Sequence, residues 1–143
     1  MLRLSKLTDY AVVLLARLED AEGDAVMTAP GLASATGLTE TTVAKVLKLL
    51  GHAGLVEGRR GAAGGYRLTR PLSDMPLSQV IQAIDGPVAL TACVDNAIGF
   101  CDVEAGCPVR GRWDPVNEAI RNALASITVA QLSGPPAVVA HPE

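Results

Sequence analysis

Three cysteines, Cys93, Cys101 and Cys107, share one short segment of a 143-residue chain, with seven residues between the first two and five between the last two. An odd number of thiols without an export signal argues against a disulfide framework and for metal or redox chemistry. Three thiolates on one loop can converge on a soft metal centre, and such ligands select zinc, copper(I) or iron-sulfur clusters. Structural zinc favours cysteines paired a few residues apart, and no such pair occurs here. An iron-sulfur cluster is wider than a single ion and tolerates broader spacing. The alternative is three small thiols acting as core hydrophobes. Three cysteines leave a cluster one protein ligand short of four. Asp95, Asp102 and Glu104 lie within the loop, while His52 and His141 lie far from it in sequence. Asp9 would reach the loop if a dimer set the first helix of one subunit beside the cysteines of the other; it equally suits a helix N-terminus, where an acidic residue is favourable.

A second constellation is basic. Val43, Val46, Leu47 and Leu50 follow the i, i+3, i+4, i+7 pattern of a helix core face, which leaves Thr41, Lys45, Lys48 and His52 on a polar stripe. Hydroxyls and ammoniums in that arrangement suit phosphates and base edges, although an ordinary solvated face would look similar. Directly after it, Gly54-Leu55-Val56-Glu57 and Tyr66-Arg67-Leu68-Thr69 flank the glycine-rich stretch that carries Arg59 and Arg60. This pattern predicts a β-hairpin wing whose arginines follow phosphates or enter a minor groove. No Gly-Lys-Ser/Thr ending is present, so the glycines are not a nucleotide-binding P-loop.

The elements that must position these groups follow from periodicity. Leu7 to Leu18 predicts a helix buried on more than one side, with Ser5 as N-cap. A short helix over Pro30 to Thr36, a turn at Gly37-Leu38-Thr39 and a helix from Glu40 to Leu50 predict a helix-turn-helix, with Thr39 as the second N-cap. Ser73-Asp74-Met75-Pro76 opens a helix that Gly86-Pro87 ends. From Asp114-Pro115 a long helix is expected to run to about Leu132, with Val116, Ala119, Ile120, Ala123, Leu124 and Ile127 on one face, pairing two subunits. The predicted organisation is mainly α with a small β-hairpin wing: a winged helix-turn-helix domain over 1–70, a helix, cysteine loop and long dimerisation helix over 71–133, and a mobile tail over 134–143.

Composition bounds the rest. Hydrophobic residues make up 49% and charged residues 19%, which excludes a disordered body. No apolar run reaches the ~18 residues of a membrane span, and the opening Met1-Leu2-Arg3-Leu4-Ser5-Lys6 lacks an export signal, so the expected location is cytoplasmic. Residues 1–70 hold nine Lys/Arg against seven Asp/Glu, and residues 71–143 hold three against eight. The net charge of -3 therefore conceals a basic half suited to nucleic acid.

Taken together, the chain resembles the Rrf2 family of winged-helix iron-sulfur regulators, which has IscR-like, NsrR-like and SUF-operon members. The resemblance rests on Leu4-Ser5-Lys6-Leu7-Thr8-Asp9-Tyr10-Ala11, Ala35-Thr36-Gly37-Leu38, Val46-Leu47-Lys48-Leu49-Leu50 and Gly54-Leu55-Val56. It continues through the wing Gly61-Ala62-Ala63-Gly64-Gly65-Tyr66-Arg67-Leu68, Val80-Ile81-Gln82-Ala83-Ile84-Asp85-Gly86, the three cysteines and Ser126-Ile127-Thr128-Val129-Ala130-Gln131-Leu132. Through Lys6-Leu7-Thr8-Asp9-Tyr10 and Cys107-Pro108-Val109-Arg110-Gly111 the chain is most similar to the SUF-operon regulators. The resemblance implies a homodimeric transcription regulator, not an enzyme and without a small-molecule substrate, whose cluster state tunes binding to a roughly palindromic double-stranded operator near iron-sulfur assembly genes.

Cys93, Cys101 and Cys107 fall where the family's cluster cysteines fall. Two departures stand out: the first gap is longer than in the best-known members, and Arg110 stands where IscR-like members carry a histidine ligand. NsrR-like members supply an aspartate across the dimer at the position of Asp9, which makes Asp9 the leading fourth ligand and puts 4Fe-4S ahead of 2Fe-2S. On this reading Thr41, Thr42 and Lys45 meet base edges, and Ser5, Lys48, Arg59, Arg60 and Arg67 meet phosphates or a groove. The competing expectations are a thiol-based redox-sensing regulator without a cluster and a small electron-transfer iron-sulfur protein.

Overall fold

A computed structural model describes residues 3–21, 25–62, 64–91, 93–94 and 103–134. Its first helix, α1 (Lys6–Glu19), starts at Ser5, whose hydroxyl accepts from the Thr8 amide, and buries Ala11, Leu14, Leu15 and Leu18. Helix α2 (Ala29–Thr36) is capped by Thr28 and ends at Gly37 in the left-handed conformation, φ 77°. That turn delivers α3 (Glu40–His52), capped by Thr39, whose Val43, Val46, Leu47 and Leu50 are buried as the periodicity required.

The hairpin pairs β1 (Val56–Arg59) with β2 (Gly65–Leu68) in antiparallel register, Glu57 opposite Arg67 and Arg59 opposite Gly65. Both strands are displaced from the sequence expectation, so Arg59 closes β1 rather than standing in the tip. Met27 forms a bridge to Tyr66 through two backbone hydrogen bonds of 3.0 and 2.8 Å, which ties the wing to the residues that enter α2. Glycine is required here sterically: a Cβ on Gly64 would stand 2.6 Å from the Arg59 carbonyl oxygen, and one on Gly65 2.8 Å from that of Met27.

A 3₁₀ turn at Leu72–Asp74 leads to α4 (Leu77–Asp85), which buries Leu77, Val80 and Ile81. Leu72, Met75, Val80 and the distant Val129 join one core with α1, α2, α3 and Val56.

The long C-terminal helix is where sequence and structure part. The expected rod to about Leu132 is two helices, α5 (Asp114–Ala125) and α6 (Val129–Ser133). The break has a physical cause. Thr128 opens α6 with a capping box in which the Gln131 side chain accepts from the Thr128 amide at 2.8 Å. The extended link also bridges to Pro76, with the Leu77 amide donating to the Ile127 carbonyl at 2.8 Å and the Val129 amide to that of Met75 at 2.9 Å. A continuous helix would forfeit those bonds and pull Val129 from the core.

Candidate nucleic-acid interface and cysteine segment

The helix-turn-helix presents α3 outward. Thr41, Lys45, Lys48 and His52 are exposed along one side, opposite the buried stripe. Thr42 differs: it is half-buried, and its hydroxyl accepts from that of Thr39 at 3.0 Å while its amide donates to the same Thr39 oxygen at 3.2 Å. The cap thus fixes the first turn of α3 and leaves Thr41 and Lys45 as its projecting groups. Beside it, Arg59 and Arg60 are exposed on the wing. Arg67 is half-buried and forms an ion pair with Glu57, its partner in the strand register, so its charge serves the hairpin as well as any anion beyond it.

Ser5, expected at the DNA, is the N-cap of α1 and also donates its amide to Asp85 Oδ2 at 3.2 Å. Thr8, buried one position before Asp9, donates its hydroxyl to the same oxygen at 2.6 Å. Burial works against the charged form of Asp85, and the hydrogen bonds from Ser5 and Thr8 outweigh it, holding the carboxyl below its ordinary range. Sequence reasoning missed Asp85. Its signal was an acidic residue at a helix C-terminus, the wrong end of the macrodipole, just before the Gly86 that stops α4.

Cys93 and Cys107 are free and half-buried, while Cys101 lies outside the described residues, as do Asp95, Asp102 and the tail from 135. The Thr91 hydroxyl stands 3.2 Å from Cys93 Sγ. Asp9 is exposed in the first turn of α1. Among the described residues no group of three His, Cys, Asp or Glu side chains is gathered to hold a metal within one protomer.

What fixes the start of the cysteine segment is Asn117, 3% exposed, the one buried residue of α5. Its Oδ1 accepts from the Leu90 amide at 2.9 Å and its Nδ2 donates to the Val88 carbonyl at 3.1 Å. Sequence periodicity points instead to the apolar stripe, which in the single chain is divided: Val116 is 45% exposed and Ile127 37%, with Ala119 and Ala123 exposed between them, while Ile120 and Leu124 are half-buried. No helix among the described residues is long and apolar enough to cross a membrane.

Comparison with known proteins adds four findings. A family model described as Rrf2, iron-dependent transcriptional regulator, matches residues 4–135. The HTH-type transcriptional repressor NsrR of Streptomyces coelicolor is 31% identical over 137 residues, covering 94% of this chain and 90% of that one. Among solved structures, CymR, the global cysteine regulator of B. subtilis, matches with a TM-score of 0.69 at 25% identity over 93% of this chain and 97% of its own. T. potens IscR matches with a TM-score of 0.63 at 27% identity over 92% of this chain and 85% of its own.

Proposed function

Because the chain belongs to the Rrf2 family of transcription regulators, we propose that it is a cytoplasmic homodimer whose grip on a roughly palindromic operator is set by an iron-sulfur cluster on its cysteine segment. Family and fold make it a DNA-binding winged-helix regulator rather than an enzyme or an electron carrier. The observation that carries the finer reading is the placement of two free, half-buried thiols, Cys93 and Cys107, on a segment that Asn117 joins to α5.

The donor set fits such a group: Cys93, Cys101 and Cys107 supply three soft sulfurs, and Asp9, exposed near the start of α1, is free to serve a second copy as the fourth ligand. The preferred cluster is 4Fe-4S, ahead of 2Fe-2S. When bound, it supplies an oxidisable centre whose potential answers to charge and hydrogen bonding around its sulfurs. The chain's own residues do the rest. The outward stripe of α5 through Val116, Ala119 and Ala123 has the helical spacing of a subunit seam, and two copies related by a dyad place two α3 helices in successive major grooves. Thr41 and Lys45 then approach base edges, with Thr42 setting the helix start. Ser5, Lys48, Arg59, Arg60 and Arg67 line the phosphates. Genes for SUF-type cluster assembly are the proposed targets.

A second reading, a thiol-based regulator without a cluster, is favoured by the free, half-buried thiol of Cys93 with the Thr91 hydroxyl beside it, and by the likeness to CymR. One experiment separates the two. Anaerobic purification with a visible spectrum and iron and sulfide analysis should give charge-transfer bands and matched iron and sulfide in wild type, and a labile cluster in Asp9→Ala. A colourless, iron-free wild type that resists reconstitution would overturn the cluster reading and leave thiol chemistry.

A further inference from the structure

We infer that Asp85 is the positioning residue that couples the state of the cysteine segment to the DNA-binding half, by clasping the end of α4 to the first turn of α1. The inference rests on the regulatory reading above, and its geometry stands on its own. One carboxylate oxygen, Asp85 Oδ2, accepts both the Thr8 hydroxyl at 2.6 Å and the Ser5 amide at 3.2 Å, across 77 and 80 positions of sequence. These are the described side-chain hydrogen bonds that join α4 to α1, two helices that also share one apolar core to which α1 contributes Ala11 and Leu14 and α4 Val80.

The clasp has a distinctive placement. Ser5 already caps α1 through its own hydroxyl, so Asp85 is a second acceptor at an N-terminus that has one. Its negative charge is unfavourable at the C-terminus of its own helix and favourable at the N-terminus of α1, so the charge gains most when the two ends meet. On one side of it, Gly86 turns the chain out of α4 at φ 83°, and the Asn117-pinned residues Val88 and Leu90 run on to Cys93. On the other side, Thr8 adjoins Asp9, and α1 continues into the core beneath α3 through Leu14 and Leu15. Any displacement of the cysteine segment therefore reaches α1 through a polar joint with two defined donors. A hydrogen-bonded joint has made and broken states, which an apolar slide lacks.

Among the described residues Asp85 is hydrogen-bonded to Ser5 and Thr8 and to neither Cys93, Cys107 nor α3, so its loss should alter coupling rather than binding chemistry. The test measures the affinity of cluster-loaded and cluster-free protein for a duplex selected from a random pool by each wild-type form. The wild-type forms should differ about fivefold or more, the low end of ordinary allosteric coupling. Asp85→Asn should bring that ratio to within about twofold of one while the visible spectrum, circular dichroism and non-specific DNA affinity stay as in wild type. Thr8→Val, which keeps the buried volume and deletes the 2.6 Å donor, should act alike, and Thr8→Ser should restore the ratio. An unchanged ratio in folded Asp85→Asn and Thr8→Val overturns the inference, as does failure of both variants to fold, which would make the clasp purely structural. A wild-type ratio of one would instead overturn the regulatory reading on which it rests.

Discussion

The core of the winged half and helix α5 are built on opposite terms. In α1 and α3, Leu14, Leu15, Val43, Val46, Leu47 and Leu50 are all fully buried within a single chain, and each such side chain contributes roughly 1.5–3 kcal/mol of burial. In α5, twelve residues bury only Asn117, and Val116, Ala119 and Ala123 of the apolar stripe lie open. The first region is complete as a monomer. The second is positioned by two polar bonds to Val88 and Leu90 and presents an apolar face that a second copy would cover, in line with the dimer proposed above. A reading head whose packing is finished can be moved as a body by a part whose packing depends on what it meets.

That contrast can be broken by two buried deletions. Leu47→Ala removes a fully buried side chain from the centre of α3 and should cost about 2–5 kcal/mol, read as a lower urea midpoint with DNA binding and cluster loading lost together. Asn117→Ala orphans the Leu90 amide and the Val88 carbonyl and should cost about 1–3 kcal/mol, with the circular dichroism of the folded state and non-specific DNA binding retained and cluster lifetime shortened. Equal losses of DNA binding in the two variants would show that the regions are one cooperative unit.

The same contrast explains what could be read in advance. The helix-turn-helix was legible because its core stripe, its cap at Thr39 and the turn glycine Gly37 are local signals, whereas the cap at Thr28 came only from the structure. The wing was legible because the packing around Gly64 and Gly65 admits little else. The C-terminal half was misread where tertiary bonds overrode helical periodicity: Thr128 is extended, and the link around it is held by Met75, Pro76 and Leu77, far away in sequence. A local sign was nevertheless present, since Thr128-Val129-Ala130-Gln131 spells a capping box inside the supposed rod. The Glu57–Arg67 pair was within reach of hairpin register, whereas the partners of Asp85 and Asn117 were not, because no local rule links positions so distant.

A smaller effect sharpens the division at the surface. Arg59 and Arg60 are exposed and lie outside the core, so Arg59→Ala with Arg60→Ala should leave the urea midpoint within about 0.5 kcal/mol of wild type. Each phosphate that the wing no longer neutralises should lower the magnitude of the slope of log affinity against log salt by about 0.9, weakening binding to all sequences alike. An unchanged slope would remove the wing from the DNA-binding surface and leave the exposed stripe of α3 as its whole extent.

The smallest expected effect lies at the joint between the two regions and follows from the sign of the Asp85 shift. Hydrogen bonds from Ser5 and Thr8 lower its folded pKa against the opposing effect of burial, so the unfolded chain binds the proton more tightly, at about 3.9. The stabilisation is therefore fully present above that value and is lost as pH falls through the lower, folded pKa. At neutral pH Asp85→Asn should have a slightly lower urea midpoint than wild type, and the gap should close as the solution is acidified below about pH 4. Because the carboxyl is largely exposed, screening keeps the gap small, and added salt should narrow it further. A gap that is constant from neutral to acid pH would mean that the side chain contributes through shape alone, and that the charge plays no part in holding α4 to α1.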